Sequence, residues 1–381
     1  MSLPMSKAIG ERAQAVPAAG LPRKILVWHW GRRGAGPVFA ARLAAAFAAL
    51  EGCGAALSLA AGAEILAGPG APDCAWREPT YGTALGAALQ LVIGPAQAAR
   101  IDREIAAIAP AMAICAMPAF LDRRMAAGLR RAGVPYAVVV HDAAGHPGEA
   151  LNFWAVGQNR LFGEAVALFP LSGHVEAMLR AQGFGAKIKK LWHPPFSFGA
   201  PAPAPLRHGG KPRLLCFGRL LPYKGLDLLA DALASFAPNA PFEVRVCGDG
   251  PKSADLERLR AMAGVTVDHR WIPEAELAGL IAWADAVVLP YREASQSGVA
   301  AAAVAQGRYV LATNVGGLPE QLVGVPGAKL CAPNGAAIAE GLLTLFDSEP
   351  AAPKDDSAED WKRFGGEMIE ILEGVRKAAL F

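Results

Sequence analysis

The chain alternates short β-rich apolar runs with turn residues and helix-like stretches, and it does so twice, on either side of one Pro/Ala/Gly segment. A strand that leads into a helix and then another strand returns to a parallel neighbour, so the pattern predicts a doubly wound α/β fold. In the first series, residues 24–30 (KILVWHW) read as a strand, 31–36 as a Gly-rich turn and 38–50 as a helix. Further strands are expected over 89–93, 112–116, 136–140 and 165–169, with helices over 118–132 and 172–182.

Residues 199–212 (GAPAPAPLRHGGKP) suit neither helix nor central strand and predict an interdomain linker. The alternation then restarts. Strands are expected over 213–217, 242–247, 265–270, 286–290 and 309–313, and helices over 225–235, 254–263, 274–283 and 298–306. A last amphipathic helix is expected over 361–377. The resulting plan has a flexible leader at 1–20, a first domain at 21–198, a second at 213–355 and a closing segment at 356–381. A chain of 381 residues supports it, since single cores stop growing beyond about 250–300 residues.

Composition narrows the partners. With 37 Lys+Arg against 34 Asp+Glu the formal charge is only +3, so nucleic acid is not an expected partner. The six cysteines form no C-x-x-C pair, and Cys216 and Cys247 lie in apolar runs, which favours free thiols and a cytoplasmic setting. His141 and His146 lack a metal-site arrangement, so no metal is expected. No apolar run approaches the ~20 residues a membrane span needs, although Ala/Leu/Phe-rich helices in the first half leave peripheral membrane contact open.

The densest chemistry lies at Phe217-Gly218-Arg219-Leu220 and Pro222-Tyr223-Lys224-Gly225. Glycine at a strand end lets backbone approach a ligand, and two cations beside a helix start suit a diphosphate. A solvated pair of surface charges is the competing account. Downstream, Ser295-Gln296-Ser297-Gly298-Val299 joins a strand to a small-residue helix, where hydroxyls and amides could meet a phosphate or Ser295 and Ser297 could simply cap the helix.

The order of these motifs, with CGDGP at 247–251, ADAVVLP at 284–290 and TNVGGLPE at 313–320, resembles the retaining glycosyltransferases of the GT-B fold, the glycogen-synthase-like and bacterial polysaccharide group. The resemblance is dense over 213–320 and thinner before. It implies two Rossmann-like domains facing a cleft, with the last helix crossing back to the first domain. It implies a UDP- or GDP-sugar donor held at its diphosphate by Arg219 and Lys224, with Gly218 permitting close approach. The 295–299 loop would face the phosphates and sugar, Arg270-Trp271-Ile272 would line the base pocket, and His141 would reach the transferred sugar. No further cofactor is implied. The acceptor would be a polysaccharide or lipid-linked glycan precursor.

One departure matters. Where this family usually has two glutamates separated by seven residues, this chain has Ala294 and Ala302, with Glu293 one place off. Either the ribose is held otherwise, through Gln296 or Glu320, or donor binding is weakened. Other readings stay open too. His141 could be a structural hydrogen-bonder, His146 and Glu149 could touch the acceptor, and the 34–37 turn could leave ligand room or only close tightly. Trp28, Trp30, Trp154 and Trp192 could stack on sugar or fill the core. A GT-B epimerase or phosphorylase, a dehydrogenase and a non-catalytic binding subunit are the rival functions; the glycine spacing after the first strand does not fit a dinucleotide fingerprint.

Overall fold

The structure, a computed structural model, describes residues 24–68, 70–82, 86, 95–145, 155–195, 208–353 and 358–378. The expected leader, the 89–93 strand, most of the linker, His146, Glu149 and Trp154 lie outside them.

The first domain runs β1 Lys24–His29, α1 Ala35–Ala48, β2 Gly54–Ala60, β3 Trp76–Glu78, α2 Pro95–Ile108, β4 Met112–Cys115, α3 Asp122–Arg131, β5 Tyr136–Val140, α4 Ala155–Glu164, β6 Ala167–Pro170 and α5 Gly173–Ala181. The second runs β7 Arg213–Phe217, α6 Leu226–Ala234, β8 Glu243–Gly248, α7 Ala254–Arg260, β9 Val265–His269, α8 Glu274–Trp283 and β10 Ala286–Leu289. It continues through α9 Gly298–Ala305, β11 Tyr309–Thr313, α10 Leu318–Leu322, β12 Ala328–Cys331 and α11 Gly335–Leu343; α12 Ala358–Ala378 follows.

Both sheets have six parallel strands. Their orders, β3-β2-β1-β4-β5-β6 and β12-β11-β10-β7-β8-β9, are the same topology twice. Continuous Val, Ile and Leu runs make this possible because helices cover both faces of a parallel sheet. Thus Ile25 to His29 are all buried, and Val27 pairs in register with Leu57 on one side and Ile114 on the other. In each sheet the order reverses at the first strand, between β1 and β4 and between β7 and β10. Such reversals open a crevice at the carboxyl ends of the strands, where ligands of α/β sheets bind.

The elements absent from the sequence reading include β3, α2, α4, α10 and α11 and two weakly β-forming strands. Strand β2 is GAALSLA and β12 is AKLC, compositions that also suit helix or turn. Helix α1 begins at Ala35, with Pro37 in its first turn, where proline fits. Helix α3 begins at Asp122, not residue 118, because the Asp122 carboxylate accepts from Ala119 N–H and from the Trp28 indole N–H (3.0 Å).

Helix α12 crosses back onto α1. Trp361, Phe364, Met368 and Leu372 are buried at three- and four-residue spacing, one stripe of the helix. Phe39 of α1 meets the rings of Trp361 (5.0 Å) and Phe364 (6.0 Å) edge-on. Trp361 donates to the Pro195 carbonyl (3.0 Å) and Trp192 to Glu367 (2.9 Å), fixing the register of the helix on the first domain. Trp28, Trp30 and Trp192 are therefore structural.

Candidate active site

The two strand-order reversals face each other across a cavity of about 560 Å³ lined by both domains. On the second-domain wall, β7 ends at Gly218, whose N–H bonds to the Cys247 carbonyl (3.0 Å). Gly248 lies so close that a Cβ on it would fall 1.8 Å from the Gly218 carbonyl oxygen. A short 3₁₀ turn, Pro222–Lys224, follows and ends at Gly225 in the left-handed region (φ 65°). A Cβ on Gly225 would fall 1.8 Å from the Pro290 carbonyl oxygen. The loops after β7, β8 and β10 thus pack backbone to backbone, which only glycine permits.

This turn delivers Lys224 and Arg219 to one wall. The Lys224 ammonium lies 3.7 Å from the Tyr291 ring centroid and 5.0 Å from that of Tyr223, stacked between aromatic faces. Arg219 donates to the Tyr223 hydroxyl (3.0 Å). Burial, reinforced by the Arg219 charge, pulls Lys224 down to about 7 from its usual range. Two crowded cations in a concave, partly dry wall make a site for polyanionic ligand groups.

The 294–299 loop forms the adjoining edge. The Ser297 hydroxyl caps α9 by accepting from Ala300 N–H (3.2 Å), while Ser297 N–H donates to Gln321 Oε1 (3.0 Å). The Ser297 amide is thereby used inside the protein; Gly298 and Val299, which also line the cavity, are the first two residues of α9, whose amides have no partner within the helix. Ser295 does not line it. Its side chain is buried and its carbonyl accepts from the Ser172 hydroxyl (2.9 Å), the cap of α5 in the first domain.

Gln296 reaches across the cleft, its amide 2.5 Å from His141 Nδ1. His141 Nε2–H donates to the Ala116 carbonyl (3.0 Å), which assigns Nδ1 as the acceptor. Burial pushes His141 down to about 3, with His193 adding to the effect. It is a neutral imidazole with both nitrogens engaged, edge-on to Phe39 at 4.6 Å.

Two further histidines went unseen in the sequence. His29, at the end of β1, donates from Nδ1 to the Met117 carbonyl (2.8 Å), and His193 lies 6.0 Å from His141. Both line the cavity, and burial holds both at about 4. The only available signal was glycine. A Cβ on Gly36 would fall 2.2 Å from His29 Nε2, so the 31–36 turn makes room for this ring.

Two expected contacts are placed elsewhere. Arg270 is exposed and pairs with Asp268 (3.1 Å) and Glu276, outside the cavity lining, because the chain leaves β9 toward the acidic start of α8. Its neighbours Trp271 and Ile272 do line the cavity. Glu320, weighed for the ribose, instead accepts from Gly173 N–H and Lys190 of the first domain. Glu64, also from the first domain, accepts from the Trp271 indole (3.3 Å) and from Glu274 N–H (3.1 Å), while Arg33 covers the Trp271 ring at 5.0 Å. Ala294 and Ala302 are both buried, and neither supplies a polar group.

Residues 211–348 match the family described as Glycosyl transferases group 1. The chain is 41% identical over 181 residues to a D-inositol 3-phosphate glycosyltransferase of Jonesia denitrificans, covering 42% of this chain and 43% of that protein. It is 30% identical over 199 residues to a GDP-mannose-dependent alpha-(1-6)-phosphatidylinositol monomannoside mannosyltransferase of Mycolicibacterium smegmatis, covering 45% and 50%. The chain therefore spans half or less of the length of these relatives. Among solved structures, Anabaena HepE in complex with UDP and glucose aligns over 93% of this chain and 98% of its own (TM-score 0.63, 18% identity). Sucrose-phosphate synthase from Thermosynechococcus elongatus aligns over 94% and 99% (TM-score 0.61, 17% identity), and both likenesses concern the fold. The family match is confined to residues 211–348, whereas the likeness to GT-B-fold structures runs through both domains.

Proposed function

We propose that the protein transfers a sugar from a UDP- or GDP-sugar to a hydroxyl of a polyol or glycan acceptor, with retained anomeric configuration. One observation carries this reading: Lys224 and Arg219 share the wall of a cavity lined by both domains, where both strand orders reverse. Departure of the nucleotide builds negative charge on the diphosphate. The two cations and the Gly298 and Val299 amides are prearranged to stabilise it. No protein nucleophile is required if a departing phosphate oxygen takes the acceptor's proton. The Gln296 carbonyl oxygen, which has no partner among the described residues, positions the sugar by hydrogen bonding, and neutral His141 fixes the Gln296 amide that carries it.

Names of the relatives support a polyol-like acceptor, since they include D-inositol 3-phosphate, a phosphatidylinositol mannoside and 2-deoxystreptamine. The mannoside favours the lipid-linked form of the expected glycan precursor, made at the cytoplasmic face of a membrane that the protein contacts peripherally. None of the described helices is long and apolar enough to cross a membrane.

The test is release of free nucleotide together with a glycoside when the protein is given UDP- and GDP-sugars and polyol acceptors. A thermal-shift panel of both nucleotides first identifies the base. Nucleotide binding without any turnover would instead favour a non-catalytic subunit, the reading that the absent glutamates suggest.

A further inference from the structure

We infer that the Glu274 carboxylate, at the start of α8, receives the ribose diol of the donor in a chain that lacks the expected glutamate in α9. The inference rests on the nucleotide-sugar reading above. In a nucleotide-sugar the ribose lies between the diphosphate, here marked by Lys224 and Arg219, and the base, whose expected neighbours Trp271 and Ile272 also line the cavity. A vicinal diol in a partly dry site is best held by an acceptor taking two O–H donors, and a carboxylate does so with charge assistance.

Among the described residues four carboxylates line the cavity: Glu64, Asp142, Asp249 and Glu274. Glu64 is engaged by the Trp271 indole and the Glu274 amide. Asp142 is electrostatically coupled to Lys224, at the phosphate end. Asp249 is exposed, and its Oδ1 accepts from Gly250 N–H (3.0 Å). Glu274 remains. It is half-buried, and its carboxylate makes no hydrogen bond among the described residues. Burial and the neighbouring Glu64 charge raise its pKa, with only Arg42 opposing them. A half-buried carboxylate beside a second one, without donors of its own, is left waiting for hydroxyls. Glu64 also fixes the backbone at Glu274, so the first domain positions this contact.

Calorimetric titration of the wild type with UDP, GDP and their 2′,3′-dideoxy analogues tests the inference. The expected result is that loss of the diol weakens the better nucleotide by ~10–100-fold, the worth of one or two charge-assisted bonds. In Glu274→Ala that penalty should collapse to less than about threefold, while the dideoxy analogue binds as it does to the wild type, which also shows that the site is intact. If the alanine variant misfolds, Glu274→Gln should still cut the penalty, and Asp249→Asn should keep it whole. A full penalty in the Glu274 variants, no penalty in the wild type, or a loss that follows guanine rather than the diol overturns the inference alone. Failure of both UDP and GDP to bind the wild type overturns the nucleotide reading and this inference with it.

Discussion

The two sheets repeat one topology, yet their reversal points carry opposite chemistry. At the second, Lys224 and Arg219 are crowded cations; at the first, His29 and His141 are buried, His193 is half-buried, and all three are hydrogen-bonded and neutral. The fold supplies a crevice in each case, and the side chains decide what it can hold. One wall is electrostatically active and the other orients by shape and hydrogen bonds.

Replacing Lys224 with Ala is the strongest way to break this contrast. Transfer should fall by at least ~10²–10³-fold, the scale of losing a preorganised charge-stabilising donor. The melting temperature should hold or rise, because burying this ammonium is itself unfavourable. Full activity in a steady-state assay would end the cationic-wall reading.

The histidine wall is sharpened by His141→Phe. That change strands the Ala116 carbonyl and the Gln296 amide, costing ~1–3 kcal/mol of stability by denaturant unfolding. Transfer should fall with little change in nucleotide affinity, since His141 sits on the sugar side.

The two walls should also respond to pH in opposite senses. A bound diphosphate raises the Lys224 pKa above its free value of about 7, so binding takes up a proton. Nucleotide affinity should therefore be full below pH 7 and fall above it, by at most about tenfold per unit. The histidines have folded pKa values of about 3 to 4, below the ordinary 6.5. Their neutral burial stabilises the fold above pH 6.5, and that contribution is lost as pH falls toward 4, by up to ~1.4 kcal/mol per unit for each. Calorimetry across pH 5 to 9 reads both trends, and parallel slopes would contradict the contrast. The smallest expected effect is that of Arg270→Ala: removing this exposed ion-paired side chain should leave the melting temperature and turnover essentially unchanged.

What the sequence disclosed follows the same division. Strands rich in Val, Ile and Leu announced themselves, as did two cations after a strand-end glycine. Residues whose role depends on distant partners did not. His29 lies within the expected 24–30 strand, and its role rests on a ring packed over Gly36 and bonded to Met117, 88 residues away. The Ser297 amide looked available until Gln321, 24 residues on, was found to occupy it. Arg270 was misplaced because its two acidic partners lie close by in sequence and draw it outward, away from the Trp271 side of the chain. Glu64 meets Trp271 across 207 residues, a pairing that no local pattern encodes.

The bond from Gly173 N–H to Glu320 joins a helix start in one domain to a carboxylate of the other. Parting of the two domains at that edge breaks this bond and frees the amide to exchange its hydrogen. Gly173 is therefore a built-in gauge: its exchange rate, followed with and without nucleotide, reports how often the cleft opens without any label being added.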